Sequence, residues 1–475
     1  MTFRKRLSAA ALVLTATLVA AAPALAEGPS AAAFTPSASL AEATNNQIGL
    51  HSMLFPDTPF SAQEEMFRQA KAAGASYIRV DLSLSAIFTR GEYRGHPFYR
   101  TTWTQTDQYA TLSNRYGVKV LAIIYATPWF IADCPPGVTQ ADAYHCPVAD
   151  LARYQQMVGE VASRYAGVIN DFEILNEPDI GRYFYGSPQQ YAALLGAAAD
   201  GIHAANPQGR VALGGISKIS TTAFTDAVLA ADASLPAKID INTIHLRSTS
   251  STAAANVARW RAYFNDRGMR GPLWLTEFGY PADGVFQYDS KYRGAGEASQ
   301  ADYLEATMPV IVGAGGDMIF VTQRDWGKDH FASEGILSAP NPLPADPTVT
   351  RRKAFAVVQR AAASLTAPPP PAAPGITTIS ARQSSRVRLV GGKLALRFAC
   401  ADTTDCLAAR FRLVFSSRRG YELRTPVIKA GRTLTTTVPL SASSVRSLKR
   451  SGGKGLRFSL TNAGGLKLRQ ITLIR

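Results

Sequence analysis

Between Gln47 and Leu365 the sequence switches eight times between a short apolar run and a longer amphipathic one, and few folds tolerate that rhythm. The short runs, rich in Val, Ile, Leu and aromatics, predict strands at Gln47–His51, Ser76–Leu82, Lys119–Tyr125, Asp171–Asp179, Arg210–Gly215, Ile239–His245, Leu273–Pro281 and Asp317–Thr322. The longer runs predict a helix after each: Gln63–Ala73, Trp103–Tyr116, Ala149–Tyr165, Ser187–Ala205, Thr222–Ala231, Ala253–Arg267, Ser299–Gly313 and Arg352–Ala363. Eight strand–helix units over about 320 residues match a (β/α)8 TIM barrel. A doubly wound open sheet is the competing arrangement. It lacks support because Gly214-Gly215 continues into Ile-Ser, without the spaced glycines of a phosphate-binding turn.

The rest of the chain divides around this core. Met1–Ala26 reads as a signal peptide: Arg4-Lys-Arg6 is basic, Ala9–Ala22 apolar, and Ala24-Leu-Ala26 a small-residue cleavage site. Residues 27–45 read as a flexible leader, 46–366 as the barrel, and 367–375, with four consecutive prolines, as a stiff linker. Residues 376–475 carry short alternating runs separated by Gly- and Ser-rich turns, the pattern of a small all-β, sandwich-like domain. No later run is long enough for a transmembrane segment, so the expectation is a secreted protein, extracellular or held at the cell surface.

Charge and cysteines fit that reading. The last hundred residues hold 20 Lys and Arg against 3 Asp and Glu, whereas the whole chain carries +15. The first 375 residues therefore sum to −2, and the basic tail is a separate module with its own partner, such as an anionic cell-surface polymer. Nucleic acid is not expected, because no aromatic–basic motif accompanies the charge. Four cysteines suggest two local disulfides, Cys134–Cys146 and Cys400–Cys406; their spacing suits no zinc site, and no metal or other cofactor is expected.

Two strands end in glutamates. Asp171-Phe-Glu-Ile-Leu-Asn-Glu-Pro-Asp179 stops at a proline, and alternation places Glu173, Leu175 and Glu177 on one face. Leu273-Trp-Leu-Thr-Glu-Phe-Gly-Tyr-Pro281 ends the same way after Glu277. Arg79, Asp81, Tyr125, Trp129, Asn176, His245 and Trp326 also fall at or near strand ends, the face where barrels of this kind carry their sites. Glu173, deeper than Glu177, suits a buried ion pair, with Arg79 as a partner.

With these motifs the barrel region resembles the clan A glycoside hydrolases, chiefly family 39 and its family 5-like relatives. Asn176-Glu177-Pro178 matches the clan's motif on strand four and Thr276-Glu277-Phe278-Gly279 the motif on strand seven. The resemblance implies Glu177 as acid/base and Glu277 as nucleophile, with Arg79 beside Glu277. It further implies Asn176 on the sugar 2-hydroxyl, Trp326 under the sugar, and His245 positioning Glu277 or a hydroxyl. Trp129 is a second stacking candidate, and Tyr183, Phe184 and Tyr185 a candidate outer subsite. One departure stands out: where many members have His-x-Tyr on strand six, this chain has His245-Leu-Arg247. The missing tyrosine contact to the nucleophile is then expected from Tyr280 or Tyr125.

These features imply a retaining enzyme cleaving β-glycosidic bonds of a polysaccharide or oligosaccharide. A non-catalytic carbohydrate-binding barrel held at the surface by its tail is the alternative; it does not explain why both glutamates stand. A metal-dependent phosphodiesterase would need ligands at several strand ends, and only His51, Asp81 and His245 qualify.

Overall fold

The computed structural model describes residues 33–365, apart from 42–45, 95, 285 and 295, and the strands of a C-terminal unit. The chain forms two compact units, 1–367 and 368–475. In the first, eight strands make one parallel sheet: β1 (Ile48–His51), β2 (Tyr77–Ser83), β3 (Lys119–Tyr125), β4 (Asp171–Ile174), β5 (Arg210–Ala212), β6 (Asn242–Leu246), β7 (Leu273–Phe278) and β8 (Met318–Thr322). Their order is β5-β4-β3-β2-β1-β8-β7-β6. Backbone bonds from β5 to β6, Leu213 N to Ile241 O (3.1 Å) and Asp240 N to Val211 O (2.8 Å), close the sheet. A TIM barrel results.

Each strand leads to a helix: α1 (Phe60–Ala72), α2 (Thr104–Tyr116), α3 (Leu151–Arg164), α4 (Pro188–Ala205), α5 (Ala223–Ala231), α6 (Ser250–Asp266), α7 (Glu297–Gly313) and α8 (Lys353–Ser364). Local chemistry sets their ends. Ser187 and Gln190 form a capping box with Pro188 at the first helical position of α4, and Asp150 accepts from Arg153 N to cap α3. Two apolar layers hold the barrel. Leu50, Val80, Ile124, Phe172 and Ile244 face the helices, while Tyr77, Leu121, Ala212, Ile241, Trp274, Met318 and Phe320 form a second cluster. That second cluster fills the interior toward the strand starts, and among the described residues a cavity opens at the end where the strands finish.

Three features lie outside the sequence expectation. A short helix (Leu84–Ile87) and an antiparallel hairpin (Phe88–Tyr93 with His96–Thr101) stand between β2 and α2. Within the stretch read as a leader, residues 33–41 lie along the barrel: Ser37 N donates to Asn114 Oδ1 (2.8 Å) and Leu40 is buried. The strand carrying Glu173 ends at Ile174, because Leu175 (φ 64°) and Glu177 (φ 46°) take left-handed backbone. Strict alternation stops there, and a turn rather than a strand face delivers Glu177.

The Cys134–Cys146 disulfide closes the loop after β3 as expected. In the C-terminal unit every described element is a strand. They form a three-stranded sheet (Ile379–Ala381, Lys393–Cys400, Thr433–Pro439) and a five-stranded one (Arg386–Arg388, Arg410–Phe415, Gly420–Arg424, Leu456–Asn462, Lys467–Ile474). The signal segment, the linker 367–375 and the Cys400–Cys406 pairing lie outside the described residues. Among the described residues no helix is long and apolar enough to cross a membrane.

Candidate active site

The turn after β4 and the end of β7 bring Glu177 and Glu277 together. An oxygen of each, with a ring nitrogen of His245, lies within 4.8 Å of the other two, and all three residues are buried. Left-handed backbone at a non-glycine residue next to a proline is strained, and such strain is held in place by surrounding contacts at functional sites. Here the contacts are explicit. Leu175 N donates to Ile124 O (3.0 Å), and Ile180 N to Glu177 O (2.9 Å).

Arg79, fully buried on β2, ties the site together. Its Nε and Nη2 donate to the two oxygens of Glu173 (2.7 and 3.1 Å), Nη1 donates to Glu277 Oε1 (3.1 Å), and Nη2 also donates to Asn176 Oδ1 (2.8 Å). Burial pulls the guanidinium toward neutrality, but Glu173 and Glu277 outweigh it and hold it charged. The expected Arg79–Glu173 pair is therefore present, and Arg79 stands beside Glu277. Because Asn176 accepts from Arg79 through Oδ1, its amide nitrogen is left as the donor toward the cavity.

His245 departs from expectation. Its Nδ1 sits 2.8 Å from Glu177 Oε1 and 3.5 Å from Glu277 Oε2, so its hydrogen bond goes to Glu177 and not to Glu277. Burial lowers the imidazole to about 4, and it is neutral near neutral pH. Burial also raises the Glu177 carboxyl, against a hydrogen bond from Ser217 and the charge of Arg247. A neutral imidazole in its Nδ1–H tautomer donates to Glu177 Oε1 whether that carboxyl is ionised or carries its proton on the other oxygen. Gly215 makes room for the ring, since a Cβ there would fall 1.9 Å from His245 Nε2.

The tyrosine missing from strand six is replaced in place, by Arg247. Its Nη2 lies 3.5 Å from Glu277 Oε2 and 2.8 Å from Glu334 Oε1. Gly279 permits this, because a Cβ there would meet Glu334 Oε1 at 2.2 Å. Tyr280 does not serve: it is buried, stacks on Tyr303 at 4.4 Å and donates to Asp289 O (2.9 Å). Tyr125 lines the cavity, but among the described residues no hydrogen bond joins it to Glu277. A guanidinium in that position does electrostatic work that a phenol cannot. We expect Arg247→Ala to lower kcat/KM by roughly 10- to 100-fold, the weight of one charge-assisted contact. Steady-state kinetics check this, and an unchanged kcat/KM rules the contact out.

A cavity of about 250 Å³ opens beside Glu277, lined by His51, Asp81, Tyr125, Asn176, Glu277 and Trp326, with Met53, Phe55, Tyr183 and Phe331 among its apolar and aromatic walls; Glu177 lies next to it through Asn176 but does not line it. Trp326 is thus placed for stacking, in contact with Phe55 (5.7 Å) and Phe331 (6.3 Å). Trp129 is not. It is 43% exposed, lies against Phe130 with Arg90 over its ring, and does not line the cavity. Of the three aromatics after Glu177, Tyr183 lines the cavity, Phe184 is buried against Tyr191, and Tyr185 is exposed.

Sequence reasoning missed the parts played by His51, Arg247 and Glu334. His51 Nδ1 comes within 3.6 Å of Glu277 Oε1 and its Nε2 within 3.0 Å of Arg79; burial, then Arg79, keeps it neutral. Arg247 was visible as a departure from a motif. Glu334 sits in a loop without strand or helix periodicity, and no local signal marks it.

No family model matches the sequence, and no curated protein matches it. Solved structures do resemble it. One is a family 39 glycoside hydrolase from the gut symbiont Bacteroides cellulosilyticus WH2, with TM-score 0.52 and 16% identity, covering 84% of this chain and 82% of that one. Another is a glucosidase from Croceicoccus marinus, with TM-score 0.50 and 14% identity, covering 84% and 94%. At that identity the likeness is one of fold: this chain shares its barrel with enzymes that act on sugars.

Proposed function

We propose that the barrel is a retaining β-glycosidase acting on a polysaccharide or oligosaccharide, with Glu277 as nucleophile and Glu177 as acid/base. The observation that carries this reading is the buried carboxyl pair, with oxygens within 4.8 Å and opposite surroundings. Glu277 faces two guanidinium groups, Arg79 and Arg247, whereas Glu177 faces a neutral imidazole. Retaining enzymes hold their carboxyls about 5–5.5 Å apart; inverting ones leave about 6.5–9.5 Å for a water. The fold shared with a family 39 glycoside hydrolase supports the same reading.

In the first step a Glu277 oxygen bonds to the anomeric carbon as the bond to the leaving oxygen breaks, and that oxygen takes the proton of Glu177. Asn176 donates to the 2-hydroxyl, a contact that strengthens as positive charge develops on the ring. Once Glu277 is esterified its negative charge is gone, and Glu177, now ionised, accepts a proton from water. The water oxygen then displaces Glu277 and restores the β configuration. His245, as the neutral Nδ1–H tautomer, donates to Glu177 Oε1 in both states and leaves the other carboxyl oxygen to carry the proton to and from the substrate.

Glu177→Ala tests the acid role. On an aryl glycoside whose leaving group needs no proton, bond cleavage should change little. On a poor leaving group it should fall by roughly 10²- to 10⁴-fold. In the wild type, kcat/KM should decline as pH rises through the raised Glu177 pKa, since the acid form is consumed, and the variant should lose that limb. Equal losses on both leaving groups would remove Glu177 from the role. The assay is run in EDTA, because Glu177, His245 and Glu277 also present a donor set for a divalent cation. Loss of rate in EDTA would reassign the site to that cation.

We further propose that the protein is exported and that its basic tail is a sandwich-like module holding it on an anionic cell-surface polymer. The amino-terminal sequence and the charge of the last hundred residues motivate both statements. Retention on anionic polymer should fall when residues 376–475 are removed; unchanged retention would leave the tail without that role.

A further inference from the structure

Asp81 is a buried carboxylate that the mechanism does not use. It stands two residues after Arg79 on β2, on the same strand face, next to Ile123 in the register with β3. The residue is 9% exposed, and what remains accessible lines the cavity. Among the described residues no hydrogen bond or ion pair reaches its carboxylate.

The other buried carboxylates near this end of the barrel each take at least two protein donors. Glu173 accepts from Arg79, from Gly215 N (2.8 Å) and from Thr276 (3.1 Å). Asp179 accepts from Ser217 N (3.2 Å) and Lys218 N (2.7 Å), and Asp325 from both Nη atoms of Arg352 (2.6 and 2.8 Å). Glu334 Oε1 takes both Arg247 and Thr322, while its Oε2 has no hydrogen bond among the described residues and lies 3.7 Å from His330 Nε2. A buried carboxylate without donors is costly, and such a group is kept where a ligand completes it. Burial pushes the Asp81 carboxyl up to about 7, with Arg79 pulling it down and Glu277 raising it. Arg324 adds a second positive charge nearby. The surroundings are thus balanced in charge, and neutral hydroxyl donors suit the group better than an ammonium.

Strand order places Asp81 relative to the two glutamates. Around the barrel β2 lies on the arc running from β4 through β3, β2, β1 and β8 to β7, between the strands that carry Asn176 and Glu277. A sugar with its anomeric carbon at Glu277 and its 2-hydroxyl at Asn176 has its 3- and 4-hydroxyls left to meet the rest of the cavity wall, where Asp81 is the carboxylate without a donor among the described residues. On the glycosidase reading above, we propose that Asp81 accepts hydrogen bonds from the 3- and 4-hydroxyls of the sugar in this cavity. It thereby selects units whose 3,4 edge is unsubstituted, which are the non-reducing ends of 3- or 4-linked chains.

The test uses the full chain, wild type beside Asp81→Ala and Asp81→Asn. The substrates are the 4-nitrophenyl β-glycoside that the wild type hydrolyses fastest and its 3-deoxy and 4-deoxy congeners. Wild-type kcat/KM should fall roughly 10- to 100-fold when either hydroxyl is removed, the range for hydrogen bonds to a charged group. In Asp81→Ala the parent and deoxy substrates should come within about threefold of each other, because the removed contact has no acceptor left. Asp81→Asn should melt no lower than the wild type, since it removes an unpartnered buried charge. Equal deoxy penalties in wild type and Asp81→Ala overturn the assignment, and a lower melting temperature with those equal penalties marks Asp81 as structural. Failure of the wild type on every parent glycoside overturns the glycosidase reading itself, and the role of Asp81 with it.

Discussion

Glu277→Gln is expected to lower kcat/KM by roughly 10⁴-fold or more, on the scale seen when a covalent nucleophile is removed, while the protein stays folded. The amide is nearly isosteric but cannot form the glycosyl ester. The fold should survive because neither partner of Glu277 depends on it alone. Arg79 keeps both oxygens of Glu173, and Arg247 keeps Glu334. The measurement is hydrolysis of a panel of aryl β-glycosides and polysaccharides by wild type and variant, with the product anomer followed by NMR. Retention in the wild type and loss in the variant are expected. A complementary result should come from Glu277→Ala supplied with azide. The azide nitrogen bonds to C1 from the vacated face, the aryloxide departs, and the product is the α-glycosyl azide. A full-rate Glu277→Gln enzyme would end the assignment.

The second large effect is on stability. Arg79→Ala should destabilise the barrel by about 3–5 kcal/mol, the cost of leaving buried charge uncompensated. Glu173 is fully buried and would lose both bonds from the guanidinium, Glu277 would lose its closest positive charge, and Asn176 would lose the donor that fixes its amide. Arg79→Lys should recover little, because an ammonium cannot span Glu173, Glu277 and Asn176 from one planar fork. Adding Glu173→Gln to Arg79→Ala removes the stranded charge. That double variant should regain part of the lost stability but none of the activity. Urea unfolding followed by circular dichroism checks both statements. An Arg79→Ala protein that unfolds at the wild-type urea concentration would show that the network does not hold the barrel.

Much of this protein was legible before any coordinates. Strand and helix periodicity is a local property, so the eightfold alternation marked the barrel, and the described helices begin and end within a few residues of the predicted ones. A carboxylate closing an apolar strand is equally local, which is why Glu177 and Glu277 stood out, with Arg79 two strands away as their neighbour. The Cys134–Cys146 bridge followed from short spacing within one loop.

What the sequence did not disclose is who faces whom across the barrel mouth. His245 was legible as a site residue, but its hydrogen bond to Glu177 depends on Gly215 clearing space for the ring and on the left-handed turn at Glu177. Tyr280 reads like a site tyrosine, three residues beyond Glu277, yet the chain turns it into the core against Tyr303. Arg247 reaches Glu277 from the position of the absent tyrosine, braced by a glutamate 87 positions away that no pattern announces. Trp129 follows a strand end but is exposed, because a short helical turn, Trp129–Ile131, begins there and sets it against Phe130, off the cavity. By itself, then, the sequence determined the barrel, the end of it that carries the candidate site and the pair of glutamates. The partners of those glutamates, and the isolation of Asp81, were decided by tertiary structure alone. Periodicity reports which way a side chain leaves its own strand, whereas contacts across the mouth depend on the stagger between strands and on turns whose conformation is set by residues far away in the chain.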